Sequence, residues 1–166
     1  MPEARRAFKW TGPFAGDRAD ATARIALLAL LQPIEPDTLP ALGAGLWALD
    51  RGDTAAAIRS LGPLTESLAP AKGGAEVALL LGRVAVARGD SGAADRWLHR
   101  AVSDSVAATS PAAEYALAHF LAARGRVGDA IASLEHLILT WPTSAVVAEA
   151  RRLLEQVQAP DAGAAA

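Results

Sequence analysis

Hydrophobic positions recur in one pattern three times along this chain of 166 residues. In each copy an apolar stretch ends near a glycine, and a second apolar stretch begins with an alanine five residues after it. The glycines are Gly52, Gly89 and Gly125, and the alanines are Ala57, Ala94 and Ala130. Successive glycines are 37 and 36 residues apart, counted as 89 − 52 and 125 − 89. A period in this range predicts an array of helical repeats.

The same pattern divides the chain into segments. We predict an irregular N-terminal arm, a helix with a proline-rich connector, three helix-pair repeats, a capping helix and a disordered tail. Their bounds, in that order, are 1–17, 18–37, about 38–70, 75–107 and 111–142, then 144–158 and 159–166.

Two proline signals refine these segments. Ser110 followed by Pro111 predicts the start of a helix, because serine caps helices and proline suits the first turn. Gly62 and Pro63 fall inside the helix predicted over 54–68 and should break or kink it, since proline removes one helical hydrogen bond.

Composition favours helix over sheet. Hydrophobic residues make up 52% of the chain but aromatic residues only 5%, so that alanine and leucine dominate. The fold class predicted is therefore all-α. The net charge of −2 comes from dispersed acidic and basic residues, which gives no electrostatic footprint for nucleic acid. The chain has no cysteine, which excludes disulfides and cysteine metal sites.

No membrane span or catalytic set is predicted. The apolar run from Ile25 to Leu31 is too short to cross a bilayer. We therefore expect a cytoplasmic protein, or a periplasmic or envelope-associated one if a targeting segment is missing from this chain. Asp95 and His99 are one helical turn apart, but neither they nor the other histidines form a recognisable catalytic or metal motif. We expect no enzyme activity, no cofactor and no metal.

The repeated residues resemble the tetratricopeptide repeat (TPR) family over about 38–158. That family has a small residue midway in the first helix of each repeat, a turn glycine and an alanine in the second helix. The matching positions are Gly45, Ala48, Gly52, Ala57, Ile58, Leu61 and Leu64 in copy one, Leu81, Gly82, Ala85, Gly89, Ala94, Leu98 and Ala101 in copy two, and Leu117, Ala118, Leu121, Gly125, Ala130, Ile131, Leu134 and Pro142 in copy three.

The resemblance implies a right-handed α-solenoid of about three helix pairs, with an N-terminal helix and a C-terminal capping helix. This chain departs from the family in two ways. Alanine largely replaces the aromatic residues of the first helices, and the period is two or three residues longer than the family's 34. The segment from Ala130 to Ser144 is similar to repeats of bacterial envelope-associated members.

In TPR proteins the first helix of each pair lines a concave groove that holds a partner. The resemblance therefore implies a partner-binding set, which is Leu46, Glu76, Leu79, Arg83, Tyr115 and His119. The partner expected is a protein or peptide with an apolar anchor and an acidic group for Arg83. Whether the helix over 18–32 fills this groove is open.

The function predicted is thus a protein–protein interaction module, acting as a scaffold or assembly factor. Two alternatives stay open at this point. The chain could be an accessory or regulatory domain of a larger enzyme or sensor, or a structural subunit of a complex. The sequence names neither the partner nor the oligomeric state.

Overall fold

Every regular element in the described part of the chain is helical. The computed structural model describes residues 31, 32, 34, 39–104 and 109–159, and these contain no strand. The all-α class predicted from composition is confirmed for them. The arm predicted over 1–17, almost all of the segment over 18–37 and the tail beyond Ala159 lie outside the described residues.

Eight α-helical segments follow one another in the described residues. In chain order they are α1 (Pro40–Asp50), α2 (Thr54–Leu61), α3 (Leu64–Ser67), α4 (Gly74–Ala87), α5 (Ser91–Asp104), α6 (Ser110–Ala123), α7 (Val127–Thr140) and α8 (Val147–Gln158), with a single 3-10 turn (Pro70–Lys72) before α4. The chain forms two compact units, residues 1–77 and 78–166, and the boundary falls inside α4.

Two helix boundaries of the structure can be compared with those predicted from the positions of prolines. The helix predicted over 54–68 does break at Gly62 and Pro63, where α2 ends and the short α3 begins. The last helix begins at Val147, three residues later than predicted. The chain after Pro142 first makes turns, in which the Ser144 amide donates to the Trp141 carbonyl at 2.9 Å.

The three helix-to-helix turns share one backbone geometry. Gly52, Gly89 and Gly125 have φ of 74°, 72° and 73°, in the left-handed region that favours glycine. At the first turn the Gly52 amide donates to the Leu49 carbonyl at 2.9 Å, and the Asp53 amide donates to the Ala48 carbonyl at 2.8 Å. The other two turns repeat both bonds. This pair of bonds is the Schellman motif, which satisfies carbonyls at the end of a helix.

The residue after the turn glycine caps the next helix in two of the three copies. The Oδ1 atom of Asp53 accepts a hydrogen bond from the Ala56 amide at 2.9 Å, and Asp90 does the same for the Ala93 amide at 2.9 Å. The third copy has Arg126 at this position. Its guanidinium Nε instead donates to the Asp129 carboxylate at 2.8 Å.

Each first helix has a small residue that lies sixteen positions before a buried leucine of its second helix. The three pairs are Gly45 with Leu61, Gly82 with Leu98, and Ala118 with Leu134. A Cβ added at Gly82 would lie 2.6 Å from Leu98 Cδ2 and 2.8 Å from Leu98 Cγ, so the leucine occupies the space a side chain would need. Leu61 occupies the same space at Gly45, and in the third copy Ala118 and Leu134 are buried in one apolar cluster.

The unit 78–166 is built on two apolar clusters. In the first cluster, alanines and leucines of α4, α5 and α6 are buried together. Ala94 of α5 and Ala130 of α7 also belong to it, and neither is exposed to solvent. In the second, Leu134 and Leu137 of α7 pack against Val147 and Ala150. The amphipathic α8 thus covers the apolar side of α7 and leaves its own charged side exposed.

The unit 1–77 is held by α1 packed against α2. Leu42 of α1 and Leu61 of α2 are fully buried, as is Ile34. Ile34 contacts Gly73, whose φ of 102° and lack of a side chain make room for it.

We predict that the third turn requires glycine. Gly125→Ala should lower the free energy of unfolding by about 1–2 kcal/mol, because an L side chain is strained in the left-handed region. The matched control is Gly128→Ala, three residues later in α7, where an added Cβ meets no atom within 4 Å. That change should raise the free energy of unfolding by about 0.4–1 kcal/mol. Urea denaturation measures both, and equal effects would contradict the turn geometry.

We also predict that Gly82→Ala overpacks the second helix pair. The new methyl group overlaps Leu98, so the free energy of unfolding should fall by about 1–3 kcal/mol. Gly92→Ala is the control in the same pair, since its nearest neighbour would be the end of the Arg96 side chain at 3.7 Å. A Gly82→Ala protein as stable as the Gly92→Ala protein would show that the two helices have room to separate.

Candidate functional site

An open pocket lies between α4, α5 and α6 of the unit 78–166. Its volume is about 360 Å³. The lining residues are Arg83, Val86 and Ala87 of α4, Leu98 of α5, and Tyr115, Ala116, His119 and Phe120 of α6. The lining is mostly apolar, with three polar side chains.

Helical periodicity explains why these residues share the pocket. Arg83, Val86 and Ala87 are spaced i, i+3 and i+4, which places them on one face of α4. The α6 residues follow the same rule, because Tyr115 and His119 are one turn apart. Two first helices, from the second and third copies of the sequence pattern, therefore supply opposite walls.

The floor of the pocket is fixed by the core. Leu98 is 1% exposed and Phe120 is 7% exposed. Leu98 is also the side chain that fills the space above Gly82. The floor therefore depends on the close approach of α4 and α5, and both floor residues belong to the first apolar cluster.

Val86 gives the α4 wall an apolar surface that water reaches. It is 42% exposed. The other large apolar side chains exposed in the described residues are Trp47, Val127 and Leu139, and none of them lines the pocket. An exposed apolar side chain beside an apolar floor makes the pocket a place where a ligand can remove hydrophobic surface from water.

Arg83 places a positive charge at this apolar surface. Burial of its guanidinium lowers the pKa of Arg83 below the ordinary value, although part of the side chain reaches solvent. The group stays protonated at any pH at which proteins fold, so the shift reports lost hydration and not a lost charge. Among the described residues no carboxylate forms an ion pair with Arg83.

Tyr115 and His119 form the polar part of the opposite wall. Their ring centroids are 6.3 Å apart and the planes are inclined at 51°. Tyr115 also packs against the second apolar cluster, which holds its ring in place, whereas His119 is exposed. The phenol and the imidazole offer hydrogen bonds beside the apolar floor.

A polar contact links α6 to α7 next to this wall. Glu114 is only 8% exposed, and its Oε2 atom lies 2.9 Å from His136 Nδ1 on α7. The imidazole gives this nearly buried carboxylate a hydrogen-bond partner. The contact therefore helps to hold the helix that carries Tyr115 and His119.

The structure brings together three of the six residues predicted to bind a partner. Arg83, Tyr115 and His119 line one pocket. Leu79 does not line it; its side chain is 7% exposed and packs in the first apolar cluster. Leu46 and Glu76 are partly buried and belong to the other unit, residues 1–77.

Sequence reasoning missed the apolar part of the pocket. Val86 and Ala87 follow Arg83 by one helical turn, so the spacing alone could have added them. Leu98 and Phe120 had no such signal, since a buried leucine or phenylalanine in a helix is ordinarily core.

No group of three or more histidine or acidic residues in the described ranges is arranged to hold a metal ion. No helix in that part of the chain is long and apolar enough to cross a membrane. The lining residues that the structure describes include no serine, cysteine or carboxylate.

No protein-family model matches the chain, and no curated protein matches it significantly. The TPR resemblance therefore rests on the repeated residues and stays a prediction.

Proposed function

We propose that this protein is a TPR-like interaction module that holds a segment of another protein in the pocket between α4 and α6. In this proposal the three helix pairs are consecutive repeats of a right-handed α-solenoid, and α8 is its terminal cap. The module acts as a scaffold or assembly factor. On the resemblance alone we also propose a bacterial protein. The location we propose is the cytoplasm, with the periplasm or envelope as the alternative.

Three recurring features support the repeat assignment. The turns have the same glycine φ and the same pair of hydrogen bonds. Each first helix has a small residue sixteen positions before a buried leucine, and the two are in close contact at Gly45 and Gly82. Each second helix has a buried alanine five positions after the turn glycine. Together these make the copies alike in three dimensions as well as in sequence.

The observation that carries the binding proposal is the composition of the pocket. An apolar floor lies beside an exposed valine, a tyrosine, and an arginine that forms no ion pair with any described residue. Tyrosine and arginine are enriched among the residues that contribute most to protein–protein binding. Paired first helices also offer a groove into which an extended or helical peptide fits.

The test is a selection of peptides from a random phage-displayed library on the immobilised full-length chain. Enriched peptides are synthesised and their affinities are measured by fluorescence polarisation. Ala87→Trp should weaken binding by about tenfold or more, because a large side chain at this exposed lining position obstructs the pocket. We expect the fold to be unchanged, since Ala87 is the exposed last residue of α4.

Ala123→Trp is the matched control. Ala123 is the exposed last residue of α6, at the equivalent position of the next copy, and does not line the pocket. It should leave the affinities unchanged. Equal loss in both variants, or retention in both, would place binding elsewhere on the chain. A selection without enrichment over a blank surface would contradict the proposed function.

A further inference from the structure

Resting on the proposed function, we propose that the occupant of the pocket is a partner segment with an apolar side chain and an adjacent Asp or Glu. The apolar side chain lies on Leu98 and Phe120, and the carboxylate pairs with Arg83. The partner is thus recognised by an acidic residue inside its sequence, beside its apolar anchor.

The charge argument begins with what surrounds Arg83. Among the residues that the structure describes, no carboxylate lines the pocket and none is paired with this guanidinium. Arg126 and Arg152 do have such partners, Asp129 and Glu149, whereas exposed Arg88 and Arg151 have none among the described residues. Arg83 differs from these in its place, because it lines an apolar pocket and burial of its guanidinium lowers its pKa, with no counter-charge among the described residues. A carboxylate supplied by a ligand fits this position, because guanidinium and carboxylate match in charge and geometry.

The apolar argument concerns the size and openness of the pocket. A volume of about 360 Å³ is near the lower end of the range for ligand sites, which is about 300–1,000 Å³. The pocket is also open, whereas a small molecule usually needs a site that encloses most of its surface. A side chain projecting from a larger partner fits better, because the rest of that partner can cover Val86.

Nucleic acid is a poorer occupant on the same observations. Among the described lining residues, Arg83 is the only arginine or lysine. Binding to a phosphate backbone uses several such cations in a row. The net charge of −2 does not attract a polyanion. The pocket has one arginine beside an apolar floor. A partner segment with one acidic side chain beside one apolar side chain complements both features.

The experiment uses a selected peptide and its neutral copy. The most enriched peptide from the selection is synthesised with its acidic residues and again with each replaced by glutamine or asparagine. Both peptides are titrated against the full-length protein and against Arg83→Gln. We expect the neutral copy to bind the native protein about tenfold more weakly, since a charge-assisted hydrogen bond is lost. Against Arg83→Gln the two peptides should bind equally.

Arg151→Gln is the control for a general charge effect, because Arg151 is an exposed residue of α8 outside the pocket. It should preserve the preference for the acidic peptide. Equal affinity of both peptides for the native protein would overturn the inference. So would a preference that survives Arg83→Gln, or enriched peptides without acidic residues.

These outcomes are separable from failure of the proposed function. If the enriched peptides lose affinity in Ala87→Trp but carry no acid next to an apolar residue, the pocket binds a partner and the carboxylate inference is wrong. If Ala87→Trp and Ala123→Trp both leave affinity unchanged, the proposed site itself is wrong, and the inference falls with it.

Discussion

The close approach of α4 and α5 at Gly82 is the constraint on which the pocket depends. Leu98 occupies the volume that a side chain at position 82 would need, and it is 1% exposed there. Burying a leucine side chain stabilises a protein by about 1.5–3 kcal/mol. Buried Leu98 therefore compensates for the apolar contacts that Gly82, without a side chain, does not make. The same leucine forms the pocket floor. Packing of the helix pair and the shape of the binding surface are therefore set by one contact.

The turn glycines determine which residues meet across each pair. A left-handed glycine with two hydrogen bonds fixes how the chain leaves one helix and enters the next. In an antiparallel pair a fixed turn also fixes the register. Gly82 and Leu98 are equally distant in sequence from Asp90, the residue that follows the turn glycine, and the other two pairs have the same symmetry. A glycine at the turn and a small residue seven positions earlier are thus two parts of one geometric requirement.

This requirement explains what the sequence could predict and what it could not. The turns, the buried alanines and the break at Pro63 follow from local rules, because each depends on residues close in the chain. The burial of Leu79 does not, since α4 is apolar on nearly all sides and its pattern does not show which leucines face the core. Leu98 is a pocket residue only through contacts between helices. The late start at Val147 reflects turns after Pro142 that no capping rule indicates.

Arg83 sets the charge requirement of the proposed site. Its guanidinium is partly buried, although the residue as a whole is exposed, and no carboxylate among the described residues is paired with it. In the proposal a partner carboxylate attracts this charge, and the guanidinium has already lost part of its hydration before the partner arrives. Leu98 and Phe120 of the apolar floor are already buried in the core. Specificity in the proposed site thus comes from the charge, and the apolar floor supplies affinity that a wide range of hydrophobic side chains can share.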